Sequence, residues 1–145
     1  MSLSRSVSTI YCDDIRREVG EKVSFMGVYG SSLIVTEFPA TLPKLCIIIS
    51  VITPANKPFE ELCIRVFLES EIVGQIEFDG DQLSEMLSSI DNNNEAEDGA
   101  LHMRAVLTIS PLVISASSKI RVRVITESEE LKGLALNIEP AATAI

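Results

Sequence analysis

The sequence predicts an all-β fold: a mainly antiparallel β-sandwich of about seven to nine strands, with one short α-helix near residues 81–90. Three observations predict it. Period-two alternation with β-branched residues recurs along most of the chain. Turn-forming residues interrupt it at intervals of about 8 to 12 residues, the rhythm of a sandwich or barrel. One stretch alone has convincing helical apolar spacing. At 145 residues the chain has the size of a single domain, 1–145, able to bury a core without disulfides or metal.

In order, the strand segments are Val7–Cys12, Val23–Tyr29, Ser32–Thr36, Leu45–Thr53, Leu62–Leu68, Ile72–Phe78, Leu101–Ile109, Lys119–Thr126 and Leu134–Ile138. Between them stand Gly20, Tyr29-Gly30-Ser31, Phe38-Pro39, Thr53-Pro54-Ala55-Asn56-Lys57-Pro58, Asp79-Gly80 and Asp98-Gly99. Asp14–Val19 carries a weaker helical pattern, or is only a turn between the first two strands. In Leu101–Ile109 the residues Leu101, Met103, Ala105, Leu107 and Ile109 face a core, while His102, Arg104 and Thr108 face outward. Ile120, Val122 and Val124 alternate with Lys119, Arg121 and Arg123 in the same way, so each of these strands has one wet face. Leu45–Ile52 is apolar on both faces and reads as a central strand covered on both sides or as an interface strand. In Asp81–Ile90, Leu83, Met86, Leu87 and Ile90 form one stripe, with Asp79 or Asp81 placed to cap it and Glu85 near its start.

Apolar residues make up 46% of the chain against 23% charged, which leaves apolar surface for another subunit and so for a homo-oligomer. No run reaches the roughly 18 apolar residues of a membrane helix. Met1–Ser8 lacks the apolar stretch of a signal peptide, so the expected location is cytoplasmic. Cys12, Cys46 and Cys63 form no C-x-x-C pair and read as reduced, buried small hydrophobes.

Charge is distributed unevenly. Residues 66–103 hold ten acids and no Lys or Arg, while the rest of the chain holds eleven acids and twelve bases. The candidate partner-binding residues are Glu77, Asp79, Asp81, Glu85, Asp91, Glu95, Glu97 and Asp98. A patch of this sign steers a basic partner and repels the phosphates of nucleic acid. The competing reading takes 91–98 as a merely solvated loop.

No catalytic residue, cofactor or metal ligand set is assigned. Every Ser-His-Asp or Cys-His scheme must use His102, the one histidine, and an alternating strand turns it outward. Adjacent carboxylates, Asp13-Asp14 and Glu60-Glu61, diverge if extended. Calcium would want six to eight oxygens, and 91–98 lacks the D-x-[DN]-x-[DN]-G spacing.

The block Cys12-Asp13-Asp14-Ile15-Arg16, Glu18, Gly20, Lys22, Ser24 and Gly27-Val28-Tyr29, followed by Leu42-Pro43-Lys44-Leu45, resembles an uncharacterised family of small bacterial and phage proteins. The likeness covers about Ile10 to Leu68. It implies a bacterial or phage setting, hence a bacterial host cell, and no activity. Physically, Val19-Gly20-Glu21-Lys22 can turn one strand into the next, and Arg16 and Lys22 can pair with Asp13, Asp14 or Glu18. The expected function is a non-enzymatic protein-binding module whose acidic segment docks on a basic surface of a host protein or nucleoprotein complex, as inhibitor or adaptor, with no membrane partner. The alternative is a self-associating structural or virion component that uses Leu45–Ile52 and the tail; an enzyme or a calcium-binding sandwich comes third.

Overall fold

The computed structural model of the chain describes residues 4–85 and 100–141. Among them run twelve strands: β1 (Ser6–Arg17), β2 (Val23–Val28), β3 (Ser32–Val35), β4 (Ala40–Leu42), β5 (Leu45–Pro54), β6 (Leu62–Leu68), β7 (Glu71–Phe78), β8 (Ala100–Ile109), β9 (Leu112–Ile114), β10 (Ser118–Thr126), β11 (Glu130–Lys132) and β12 (Leu136–Pro140). Residues 80–85 are helical. The first sheet has the order β2-β1-β5-β8; the second runs β3-β12-β10-β6-β7, with β11 beside β10, and β4 pairs with β9. Pairing is antiparallel except between β12 and β3. Tyr11, Ile47, Ile49 and Met103 of the first sheet meet Ile64, Val66, Ile120, Val122 and Ile138 of the second in one buried cluster. The fold is thus all-β, two sheets face to face with one short helix.

Alternation decides which residues enter that cluster. On β6 and β10, Leu62, Ile64 and Val66 and then Ile120, Val122 and Val124 are buried, which turns Arg65, Phe67, Lys119, Arg121 and Arg123 away from the core. On β8, Leu101, Met103, Ala105 and Ile109 are buried and His102, Arg104 and Thr108 exposed. Strand β5 lies between β1 and β8, and the side chains of both its faces, from Leu45 to Ile49, are buried. Cys12, Cys46 and Ile48 form a smaller cluster under Ile10, Ile15 and Phe25. The doubly apolar segment is therefore a central strand covered within its own chain, and Ile52, 39% exposed, is its open end.

Residues 14–17 are extended, not helical. Asp14, Ile15, Arg16 and Arg17 pair with Met26, Phe25, Ser24 and Val23, because six residues cannot sustain an isolated helix while a neighbouring strand offers a full ladder. The hairpin turn uses Gly20 and Glu21 at φ 84° and 60°, and the Glu18 N–H donates to the Lys22 carbonyl over 2.8 Å. The short strands β4, β9 and β11 have three residues each, too few for alternation to show. No helix among the described residues is long and apolar enough to cross a membrane.

One end of the sandwich is closed by Arg5, whose side chain is 1% exposed. Its Nε donates to Thr53 Oγ1 over 2.9 Å, and its Nη2 to the carbonyls of Lys57 and Pro58 over 3.1 Å each. Its Nη1 donates to the Glu127 carboxylate and, at 3.5 Å, to Ser128 Oγ. All five guanidinium donors are used. The cation also lies 4.5 Å from the centroid of the Phe59 ring. Burial pushes the Glu127 carboxyl up, but Arg5 and the amides of Glu60 (2.6 Å) and Glu61 (3.4 Å) outweigh it and hold the group at about 2, below its ordinary 4.5.

Arg5→Met is expected to lower the free energy of unfolding by about 3 kcal/mol, read from the urea midpoint, because it strands the Glu127 charge in a partly dry site. The depressed Glu127 group adds stability that is complete above its unfolded value near 4.5 and fades as pH falls toward about 2. Urea titrations across that window should show a shallower acid loss in Glu127→Gln than in the wild type.

Candidate functional site

Glu77, Asp79, Asp81 and Glu85 lie at one corner, where β7 runs into the helical turn, and all four are exposed. Glu77 points outward because its neighbours Ile76 and Phe78 pack on the core. Asp79 is the cap. Its Oδ1 accepts the Gln82 N–H over 2.8 Å, and Gln82 Oε1 accepts the Asp79 N–H over 2.9 Å, a reciprocal capping box. The Leu83 N–H then donates to the Asp79 carbonyl over 3.0 Å, and Leu83 is buried in the core. Asp81 and Glu85 sit in the turn that follows, where the helix start favours negative charge. Asp91, Glu95, Glu97 and Asp98 lie outside the described residues, as do residues 86–90 of the expected helix.

The described acids of the run 66–103 do not stay together. Glu69 and Glu71 lie at the opposite end of β7 from Glu77, roughly 20 Å away at strand rise, and Glu69 Oε1 accepts the Lys119 N–H over 2.9 Å. The corner gains other acids instead. Leu62 lies opposite Phe78 and Thr126 opposite Leu62, which brings Glu60, Glu61, Glu129 and Glu130 to the same end of the second sheet. All four are exposed. They lie outside residues 66–103, and only strand register could have placed them there.

Beyond this acidic end the outer face of the second sheet is cationic. Lys132, Arg123, Arg65 and Gln75 stand in one cross-strand row on β11, β10, β6 and β7. Arg65 Nε donates to Gln75 Oε1 over 3.2 Å, and Gln75 Nε2 to Glu77 Oε1 over 2.9 Å. Arg123 Nε is 3.6 Å from Glu130 Oε1, and its Nη1 donates to the Val122 carbonyl over 3.1 Å. Arg121, opposite Phe67, and Lys119 continue the positive face along β10. The alternation of Lys119, Arg121 and Arg123 is visible in the sequence; the placement of Arg65 and Lys132 beside them is a product of pairing.

A cavity of about 280 Å³ beside the buried cation is lined by Arg5, Asn56, Lys57, Pro58, Glu60, Glu127 and Ser128. The Arg5 donors are all spent within the protein, so the guanidinium has none left for a ligand.

Of the three cysteines expected to be buried, Cys12 and Cys46 are, whereas Cys63 is half-buried because alternation turns it outward between Leu62 and Ile64. Cys12 lies directly opposite Cys46, and burial, then the neighbouring Cys46 sulfur, pushes its thiol up and away from the thiolate. His102 is exposed, opposite Ile52 on the outward side of β8. Among the described residues no three His, Cys, Asp or Glu side chains are grouped to hold a metal ion.

The N-terminal block braces a corner of the first sheet. Lys44 Nζ lies 2.5 Å from Asp14 Oδ1, an ion pair and hydrogen bond that holds the Asp14 carboxyl below its ordinary range. Tyr29 donates to Asp13, and burial followed by that bond pushes its phenol up to about 12. Arg16 meets Glu18 at 3.6 Å, one of the expected pairs, whereas Asp14 takes Lys44. At Gly27, φ 67°, an added Cβ would strike the Asp13 side chain.

Compared with protein-family models and with curated proteins, the chain matches none.

Removing the cap in Asp79→Ala should cost about 1 kcal/mol. Hydrogen exchange is the check: faster exchange is expected at the Gln82 and Leu83 amides, with the β6 and β10 amides unchanged.

Proposed function

We propose that the protein is a non-enzymatic protein-binding module that docks its acidic end onto a basic surface of another protein or nucleoprotein complex, as an inhibitor or adaptor. One observation carries this reading. Glu77, Asp81 and Glu85, with Glu60 and Glu61 added by register, are exposed at one end of the second sheet, and among the described residues none of them forms a salt bridge. Uncompensated carboxylates gathered in this way raise the encounter rate with a cationic surface and repel phosphate backbones. The setting that fits is the cytoplasm of a bacterial host, where Cys12, Cys46 and Cys63 remain thiols. Phage or prophage origin is what the likeness of the N-terminal block adds.

The test is affinity capture from bacterial lysate at low and high salt. A partner should be held at low salt, released at high salt, and lost by a Glu77→Lys, Asp81→Lys, Glu85→Lys triple variant. A Glu69→Lys, Glu71→Lys control, altered at the far end of β7, should keep it. Equal capture by the triple variant would remove the docking role.

A further inference from the structure

One group of cations on the second sheet has hydrogen-bond donors to spare. Lys132, Arg123 and Arg65 stand abreast on adjacent strands, and Arg121 shares the outward side of β10 with Arg123, two residues away. Arg5 spends all five of its donors inside the protein; these side chains do not. Arg65 gives its Nε to Gln75 Oε1, which leaves both terminal nitrogens. Arg123 gives Nη1 to the Val122 carbonyl and turns Nε toward Glu130, which leaves Nη2. The side chains of Arg121 and Lys132 have no hydrogen bond or ion pair among the described residues. Like charges set opposite each other across a ladder destabilise a sheet. The fold asks only that these positions be polar, so the departure from good pairing points to a ligand.

Charge limits what that ligand is. Glu77, opposite Cys63, and Glu130, opposite Ile125, lie one step before the cationic row, about 7 Å along the strands. At the other end Glu69 accepts the Lys119 N–H, and Glu139 stands two residues beyond Asn137, the partner of Lys119. A polyanion laid along the strands meets carboxylates on both sides of the cations, whereas a compact anion fits between them. Arg65 and Arg123 are about 5 Å apart at Cβ and Arg121 is about 7 Å along from Arg123, so three guanidinium forks border one small area. A carboxylate is satisfied by a single fork. Three forks match a phosphoryl group, with its three acceptor oxygens and nearly two negative charges. Beside Arg121 in its row stand Phe67 and then Ile72, which is 49% exposed. They give the organic part of an ester an apolar surface to rest on.

We propose that Arg65, Arg121 and Arg123, with Lys132 at the rim, form a binding site for a small phosphate monoester whose ester group lies on Phe67 and Ile72. The site is next to the acidic end that serves the docking reading and shares no residue with it.

Phenyl phosphate is the probe, added at constant ionic strength to the isotope-labelled full chain and followed by NMR through the arginine Nε–H and backbone amide resonances. Saturable shifts are expected on β6 and β10 around Arg65 and Arg121, and benzoate should bind at least tenfold more weakly. Arg65→Gln and Arg121→Gln should each weaken phenyl phosphate about tenfold or more, whereas Arg16→Gln, on the first sheet, should leave it unchanged. Arg65→Gln relieves a like-charge pair and Arg121 braces nothing, so neither variant should melt below the wild type in buffer alone. The absence of saturable shifts, benzoate binding as tightly as phenyl phosphate, or wild-type binding by both variants overturns the proposal. So does a fall of both melting temperatures in buffer, which would make the arginines braces. An oligonucleotide that binds more tightly, phosphate for phosphate, overturns it in favour of a nucleic-acid surface.

Discussion

Arg5 carries a guanidinium into the protein with its side chain only 1% exposed, and the end of the sandwich is organised around satisfying it. Thr53 at the end of β5, the carbonyls of Lys57 and Pro58, the ring of Phe59 and the carboxylate of Glu127 converge on one guanidinium. These groups come from the start of the chain, the β5–β6 connection and the turn after β10. A buried ion pair adds little net stability over an apolar equivalent, but losing one partner is costly, so the geometry around it is strongly specified. The constraint reaches the surface. Through its other oxygen Glu127 accepts the amides of Glu60 and Glu61, so the buried cation fixes the turn that presents those two exposed carboxylates.

The acidic corner and the cationic face are consequences of one register. Burial of Ile64, Val66, Val122 and Val124 leaves β6 and β10 no alternative phase, since a slip by one residue would carry four apolar side chains into water. Within that phase the pairing sets Arg65 opposite Arg123, whatever the electrostatic cost. The hydrophobic term is larger: each fully buried Val or Ile is worth about 1.5–3 kcal/mol, against a fraction of a kcal/mol for like charges on an open face. The face thus keeps a charge pattern that packing tolerates.

Much of this architecture was legible in the residues. Leu62–Leu68 matches β6 end to end, Leu101–Ile109 gave the buried and exposed sides of β8, and Asp79 was one of two cap candidates. These features are local: alternation, turn residues and caps act within a few positions. Asp14–Val19 is the converse case: of its two readings, a weak helix or only a turn, the turn holds at Val19-Gly20, while Asp14–Arg17 are extended because β2 offers them a partner. The half of the acidic site at Glu60, Glu61, Glu129 and Glu130, and the row of Lys132, Arg123 and Arg65, have no local signature at all.

The sequence by itself determined a two-layer β fold, the inward and outward faces of its long strands, a capped helical turn after Phe78 and an excess of acid in residues 66–103. Tertiary structure decided which charges are neighbours. It split the described acids of that run between the two ends of β7, drew four acids from elsewhere to one end, and buried Arg5 at the base of the same corner. The reason is that side-chain direction follows from the period of the chain, whereas proximity between strands follows from pairing register, which the whole core fixes at once.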